Sequence, residues 1–235
     1  MNPKKSQNLK EALKRISEGR ERTNLLKKQE QKTLAWLVQR IPSWISSDML
    51  TGIGFAGGIL VFLSFVLGAF LNRWFLLLGV LGFFISWFGD SLDGRIAYYR
   101  KTPRKWYGFS LDLTVDWIGI ILMGLGFIFY ASGWWKITGF LFVALYGWEM
   151  ITALLRYKVT GKYSIDSGFL GPTEVRLIIS LILVFEVLFK GSIHYLSAIA
   201  CAVLLITNAT DHIKLLRQAN KRDREERVET KESYV

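Results

Sequence analysis

Residues 74–116 read WFLLLGVLGFFISWFGDSLDGRIAYYRKTPRKWYGFSLDLTVD. A run of sixteen uncharged, mostly apolar residues ends at Asp90, and a second aspartate follows at Asp93. A short basic loop with Arg95, Arg100, Lys101, Arg104 and Lys105 comes next, and then Asp112 and Asp116 open another apolar run. A helix needs roughly 20 mostly apolar residues to cross a hydrocarbon core of about 30 Å. Both runs reach that length once their acidic ends are included.

The pattern repeats outward from this stretch. Apolar blocks at about 49–71, 74–94, 109–131, 134–155, 173–190 and 193–213 predict an all-α integral membrane protein with six transmembrane helices. The aspartates are expected to interrupt one end of the second and third spans. Hydrophobic residues make up 51% of the 235, and they are gathered in blocks rather than spread as the stripes of a soluble domain. Glycines such as Gly52, Gly54, Gly57 and Gly58 in the first span, and Gly119, Gly124 and Gly126 in the third, allow close helix approach.

The formal net charge is +11, but the basic residues flank apolar spans instead of forming one face. This excludes nucleic acid as the economical partner and favours anionic lipid headgroups and anionic substrates. Lysines and arginines crowd the N-terminal segment, the loops after spans two and four, and the tail. The other side keeps only Arg73, Lys136 and Lys190. The positive-inside rule then places both termini in the cytoplasm. The first apolar span begins near Met49 after a charged segment, so no cleavable targeting sequence is expected, in keeping with a bacterial inner membrane. The lone Cys201 supports neither a disulfide framework nor a cysteine zinc site.

Three segments follow: a basic cytoplasmic arm over 1–46, a six-span domain over 47–215 and a charged cytoplasmic tail over 216–235. Within the arm, Leu34, Leu37, Val38, Ile41 and Ile45 fall near helical spacing beside Trp36 and Trp44. They predict a juxtamembrane amphipathic helix, bent or ended near Pro42. Residues 221–235 alternate charges without apolar periodicity and read as solvated or disordered.

Four of the eight aspartates lie between residues 90 and 116. Asp90 and Asp93 are three apart and Asp112 and Asp116 four apart, so each pair shares a helix face. The short loop predicts that the two spans are antiparallel neighbours whose carboxylates converge near the cytoplasmic surface. One carboxylate at membrane depth costs roughly 2.5–3.5 kcal/mol on insertion scales, and four together repel. Either the neighbouring arginines and lysines compensate them, or a pair of divalent cations does; all-oxygen ligands suit magnesium or manganese.

The series Asp90, Asp93, Gly94, Ala97, Gly108, Asp112, Asp116 resembles the signature D-x-x-D-G-x-x-A-R followed by G-x-x-x-D-x-x-x-D of the CDP-alcohol phosphatidyltransferase family. Ser47-Asp48-Met49-Leu50-Thr51 also resembles the way the family opens its first span. Tyr98 stands where the family carries an arginine, with Arg95 or Arg100 as alternative sources of that charge, and the gap to Gly108 is one residue longer than usual. The resemblance implies that Asp90, Asp93 and Asp112 bind one or two Mg2+ or Mn2+ ions, with Asp116 as general base and perhaps a further ligand. Asp90, Asp93, Gly94, Ala97, Gly108 and Asp112 would bind the nucleotide. It further implies transfer of a phosphatidyl group from CDP-diacylglycerol to a small polar alcohol or its phosphate, releasing CMP, and is compatible with a homodimer.

Arg156, Lys158, Glu174 and Arg176 are candidates for binding a phosphorylated acceptor; positive-inside topology accounts equally for the cations, and Glu174 could instead hold the loop or pair with Arg176. Glu149, inside the fourth span, is a functional candidate or a helix–helix hydrogen-bonding group. Three alternatives differ in class. The substrates could be reversed, with a soluble CDP-alcohol donating to a lipid hydroxyl. A diacidic prenyltransferase would carry its motifs on well-separated helices, whereas one cluster is found here. A cation transporter would place its site near the midplane, often between repeated halves.

Overall fold

The computed structural model describes residues 27–161 and 171–232, and they are helical throughout apart from turns. Residues 1–26, 162–170 and 233–235, the first of these being most of the basic arm, lie outside the described residues. The elements are α1 (Lys27–Val38), α2 (Ser47–Phe70), α3 (Leu76–Tyr99), α4 (Lys105–Tyr130), α5 (Lys136–Thr160), α6 (Pro172–Leu188) and α7 (Ser192–Glu232). Short 3-10 turns, Arg73–Phe75 and Gly133–Trp135, lead into α3 and α5.

Among the described residues, five helices are long and apolar enough to cross a membrane: α2, α3 and α5 with their leading turns, α4, and the first part of α7. The fifth expected span is α6, whose 17 residues extend about 26 Å at 1.5 Å per residue. The helices do not break at the aspartates. α3 runs through Asp90 and Asp93 to Tyr99, and α4 starts at Lys105, about two turns before Asp112. Intrahelical hydrogen bonds satisfy the backbone there, so the carboxylates sit on helix faces rather than in a loop.

Local chemistry sets the ends. Ser46 caps α2 by accepting from the Met49 N–H at 3.1 Å. Asn72 does the same for the turn that follows, accepting from Trp74. Gly161, at φ +71°, ends α5 in the left-handed conformation that only glycine adopts cheaply. Pro172 begins α6, where its missing N–H is no loss, and the Glu174 carboxylate turns back to accept from the Gly171 N–H at 3.0 Å.

Around the bundle, α2 packs on α3 and α4, α4 on α5, α5 on α7, α7 on α6, and α6 on α3. The six helices therefore close a ring. One expectation is corrected here: α3 and α4, joined by a five-residue loop, are not packed neighbours, because both lean on α2 instead. The α2–α3 crossing explains the preference. A Cβ on Gly57 would lie 2.5 Å from the Ser86 nitrogen and 2.6 Å from the Gly82 carbonyl, so two backbones touch where side chains would normally stand. Gly124 and Gly126 serve similar close contacts with α5 and α2, whereas a Cβ on Gly52 or Gly119 would meet nothing within 4 Å.

The end of the ring away from the aspartates is filled by Val61, Phe65, Leu76, Phe83, Met123, Phe127, Leu183 and Val187. There the buried Glu186 accepts from the Tyr130 hydroxyl at 2.7 Å and from the Gly191 and Ile193 N–H groups at 2.9 Å, which ties the α6–α7 turn to the end of α4.

α1 lies across the other end. Leu34, Ala35 and Val38 are buried against Leu50 of α2 and Leu92 and Ile96 of α3. Arg100 donates to the carbonyls of Ile45 and Pro42 at 2.5 and 2.8 Å, fastening the segment after α1 to the end of α3. The charged tail is solvated as expected over its described side chains, but it is helical and not disordered. α7 continues helically to Glu232, supported by the pairs Lys221–Glu225 (3.6 Å) and Arg222–Glu226 (2.7 Å) and by Arg222 donating to the Lys158 and Val159 carbonyls at 3.0 and 2.8 Å. Such i,i+4 pairs sustain a solvated helix without an apolar stripe.

Candidate active site

Between the helices that ring it, a cavity open to its surroundings is lined by residues of α2, α3, α4, α5 and α6. At one end it carries Asp90 and Asp93 from α3, Asp112 and Asp116 from α4, and Arg176 from α6. Further along the same helices the wall becomes Val61, Phe83, Ile120, Met123, Phe142 and Ile179. A polar mouth therefore leads into an apolar interior. That division suits an amphiphile with an anionic head.

Asp90, Asp112 and Asp116 each offer a carboxylate oxygen within 4.8 Å of the others. The separation of α3 from α4 makes this convergence possible, since it leaves room between the two acid-bearing faces. Three hard oxygen donors from two helices fit a divalent cation such as magnesium or manganese. Arg176 supplies positive charge at the same place, 2.5 Å from Asp90 Oδ2 and 3.7 Å from Asp116 Oδ1.

Asp93 lines the cavity but stands apart from that trio. It is buried, and its Oδ2 accepts from the Thr51 hydroxyl at 2.8 Å. Ser47 donates to the Asp93 carbonyl at 2.9 Å. The first turn of α2 thus orients the second aspartate of α3. Thr51→Val keeps the shape and removes the donor, so the Asp93 carboxylate loses its orientation while the fold remains. The expected result is a roughly tenfold fall in turnover with little change in unfolding temperature, read by product formation beside a thermal melt.

The remaining predicted residues divide. Gly108 opens α4 in free space, with nothing within 4 Å of an added Cβ. Gly94, Ala97 and Tyr98 follow the acidic turns of α3 and are half-buried. Neither Arg95 nor Arg100 lines the cavity: Arg95 donates to the Ser91 carbonyl and lies 3.7 Å from Glu30 of α1, and Arg100 serves the carbonyls named above. Of the four acceptor candidates only Arg176 is on the cavity wall. Arg156 faces α7, 3.5 Å from Asp211, Lys158 is exposed, and Glu174 caps α6. Glu149 is buried with neither carboxylate oxygen hydrogen-bonded among the described residues.

Sequence reasoning assigns no role to the polar wall residues Thr51, Ser86 and Tyr146. Thr51 falls in the stretch Ser47–Thr51, which resembles the family's opening of its first span. Tyr146 of α5 also lines the cavity, and nothing in the apolar text of the fourth span marks it.

Residues 44–211 match the profile of the CDP-alcohol phosphatidyltransferase family. The chain belongs to that family. The matched region runs from the approach to α2 into α7 and contains every residue of the cavity wall. A search of curated proteins returned no match. As a CDP-alcohol phosphatidyltransferase, the protein has the family's chemistry of phosphatidyl or phosphoalcohol transfer.

Proposed function

We propose that the protein transfers a phosphatidyl group from CDP-diacylglycerol to the hydroxyl of a small polar alcohol or its phosphate and releases CMP. The observation that carries this reading is the cavity itself, with three converging carboxylates at its mouth and apolar side chains in its depth. The diphosphate belongs at the mouth and the acyl chains extend toward Val61, Met123 and Ile179.

In this reading Asp90, Asp93, Asp112 and Asp116 hold the divalent ions, and Asp116 also takes the proton from the attacking hydroxyl. Magnesium or manganese bound there would neutralise the diphosphate and the departing CMP. The acceptor oxygen attacks the β-phosphorus, the bond from that phosphorus to the CMP oxygen breaks, and the hydroxyl proton passes to Asp116. Gly94, Ala97 and Gly108 leave space for the nucleotide, and Arg176 is positioned for a phosphate on donor or acceptor. Six spans complete the membrane domain, α6 being the short one. Trp36 and Trp44, both exposed beside α1, suit a helix lying at the interface. The lysine and arginine distribution turns the carboxylate end to the cytoplasm.

The test is CMP release by the purified protein in lipid, supplied with CDP-diacylglycerol, magnesium or manganese, and a pool of polar alcohols and their phosphates. Release abolished by EDTA supports the reading, and removing alcohols one at a time names the acceptor. Release only with a CDP-amino alcohol and diacylglycerol reverses the substrates. Absence of release with either pair, together with cation flux in liposomes, overturns the enzymatic reading.

A further inference from the structure

Three carboxylate oxygens within 4.8 Å of one another repel when charged, and a nearby cation relieves that repulsion. Among the described residues, one side chain brings a cation to two of these carboxylates. Arg176 is largely buried, at 16% exposure, and its two terminal nitrogens reach different helices: Nη1 lies 2.5 Å from Asp90 Oδ2 on α3, and Nη2 lies 3.7 Å from Asp116 Oδ1 on α4. Since α3 and α4 are not packed on each other, the guanidinium of α6 links the two acid-bearing helices across the mouth of the cavity.

We propose that Arg176 is the built-in counter-ion of the carboxylate cluster and competes with the divalent metal for it. The inference rests on the reading of Asp90, Asp112 and Asp116 as metal ligands. Both kinds of cation draw on the same carboxylates. A guanidinium fork holds a carboxylate at hydrogen-bonding distance along fixed N–H directions. A carboxylate has lone pairs enough for both, but a divalent ion held by Asp90, Asp112 and Asp116 would repel the guanidinium across the same few ångströms and weaken its hold on Asp90. The arginine then remains on the cavity wall with its charge released, directly beside the position of a phosphate. Loading of the metal and availability of Arg176 for an anionic substrate become one linked event.

The experiment is a Mn2+ titration of the purified full-length protein in detergent without substrate, followed by the electron paramagnetic resonance signal of free Mn2+. Wild type, Arg176→Gln, Arg176→Lys and Asp116→Asn are compared. Removing the competitor is expected to tighten Mn2+ binding at least tenfold in Arg176→Gln. Arg176→Lys keeps the charge but loses the two-point fork, and its expected gain is smaller, about threefold. Equal or weaker Mn2+ binding in Arg176→Gln overturns the inference, because a residue that only shapes the wall would give that result. Should Arg176→Gln fail to fold, unchanged or weaker binding in Arg176→Lys overturns it instead. A wild type whose Mn2+ binding is indistinguishable from that of Asp116→Asn points elsewhere: it removes the metal-ligand reading itself, and the competition with it.

Discussion

Asp116→Asn is expected to lower metal-dependent CMP release by about 10²–10⁴-fold, the range for loss of a positioned general base. The substitution keeps the size and planarity of the side chain and removes both its negative charge and its ability to take a proton. Little else should change. Asp116 is 37% exposed, and its contact with Arg176 is a long 3.7 Å, so the fold does not depend on it. The variant should therefore melt within a degree or two of wild type and elute as the same species. If it retains more than a tenth of the wild-type rate, the base lies elsewhere, and Asp90 or Asp112 becomes the group to replace next. Rate and melting temperature measured on one preparation separate a chemical loss from a structural one.

The largest structural effect is expected at Gly89. An added Cβ would lie 2.3 Å from the Gly54 nitrogen and 2.4 Å from the Leu50 carbonyl oxygen. Both are backbone atoms of α2, so no rotamer change relieves the clash, and the two helices must separate. Overpacking typically costs about 1–3 kcal/mol and occasionally more; with backbone on both sides, Gly89→Ala belongs at or above the upper end. Gly52→Ala is the matched control on the same helix pair. It meets nothing within 4 Å, and replacing a helical glycine with alanine gains up to about 0.8–1.0 kcal/mol in propensity. Thermal unfolding in detergent should move in opposite directions for the two variants. A Gly89→Ala protein as stable as wild type would mean that the α2–α3 crossing is looser than its geometry shows.

Much of this arrangement is legible in residues 74–116. Apolar run lengths give the spans, and the spacing of Asp90 with Asp93 and of Asp112 with Asp116 puts each pair on one helix face. What spacing cannot report is which helix stands beside which. The short loop suggested that α3 and α4 pack together, but the glycines that decide the contact, Gly54, Gly57, Gly82 and Gly89, are shared by α2 and α3. Inter-helix partners are hidden for the same reason. Thr51 looks like one more small residue until the fold brings it to Asp93 across 42 positions, and Arg176 reads equally as an acceptor-binding or a topogenic charge until α6 delivers it to Asp90 and Asp116. The tail was unreadable differently: the bond from Arg222 to the end of α5 leaves no periodic trace along the chain.

The way α3 and α4 meet through α2 also bears on ion choice. The gap between Asp90 and Asp116 follows from two close helix contacts, the backbone crossing of Gly54 and Gly57 against α3 and the seat of Gly126 on the Phe65 side chain and Phe62 carbonyl of α2. With the proposed metal site, the bundle would work as a caliper for ionic radius, its jaws on the acid-bearing helices and its screw several turns away. Calcium, with oxygens at 2.3–2.6 Å, asks for a wider opening than magnesium at 2.0–2.1 Å. Selectivity between them would then be written into helix spacing and could be retuned by residues that never touch the ion.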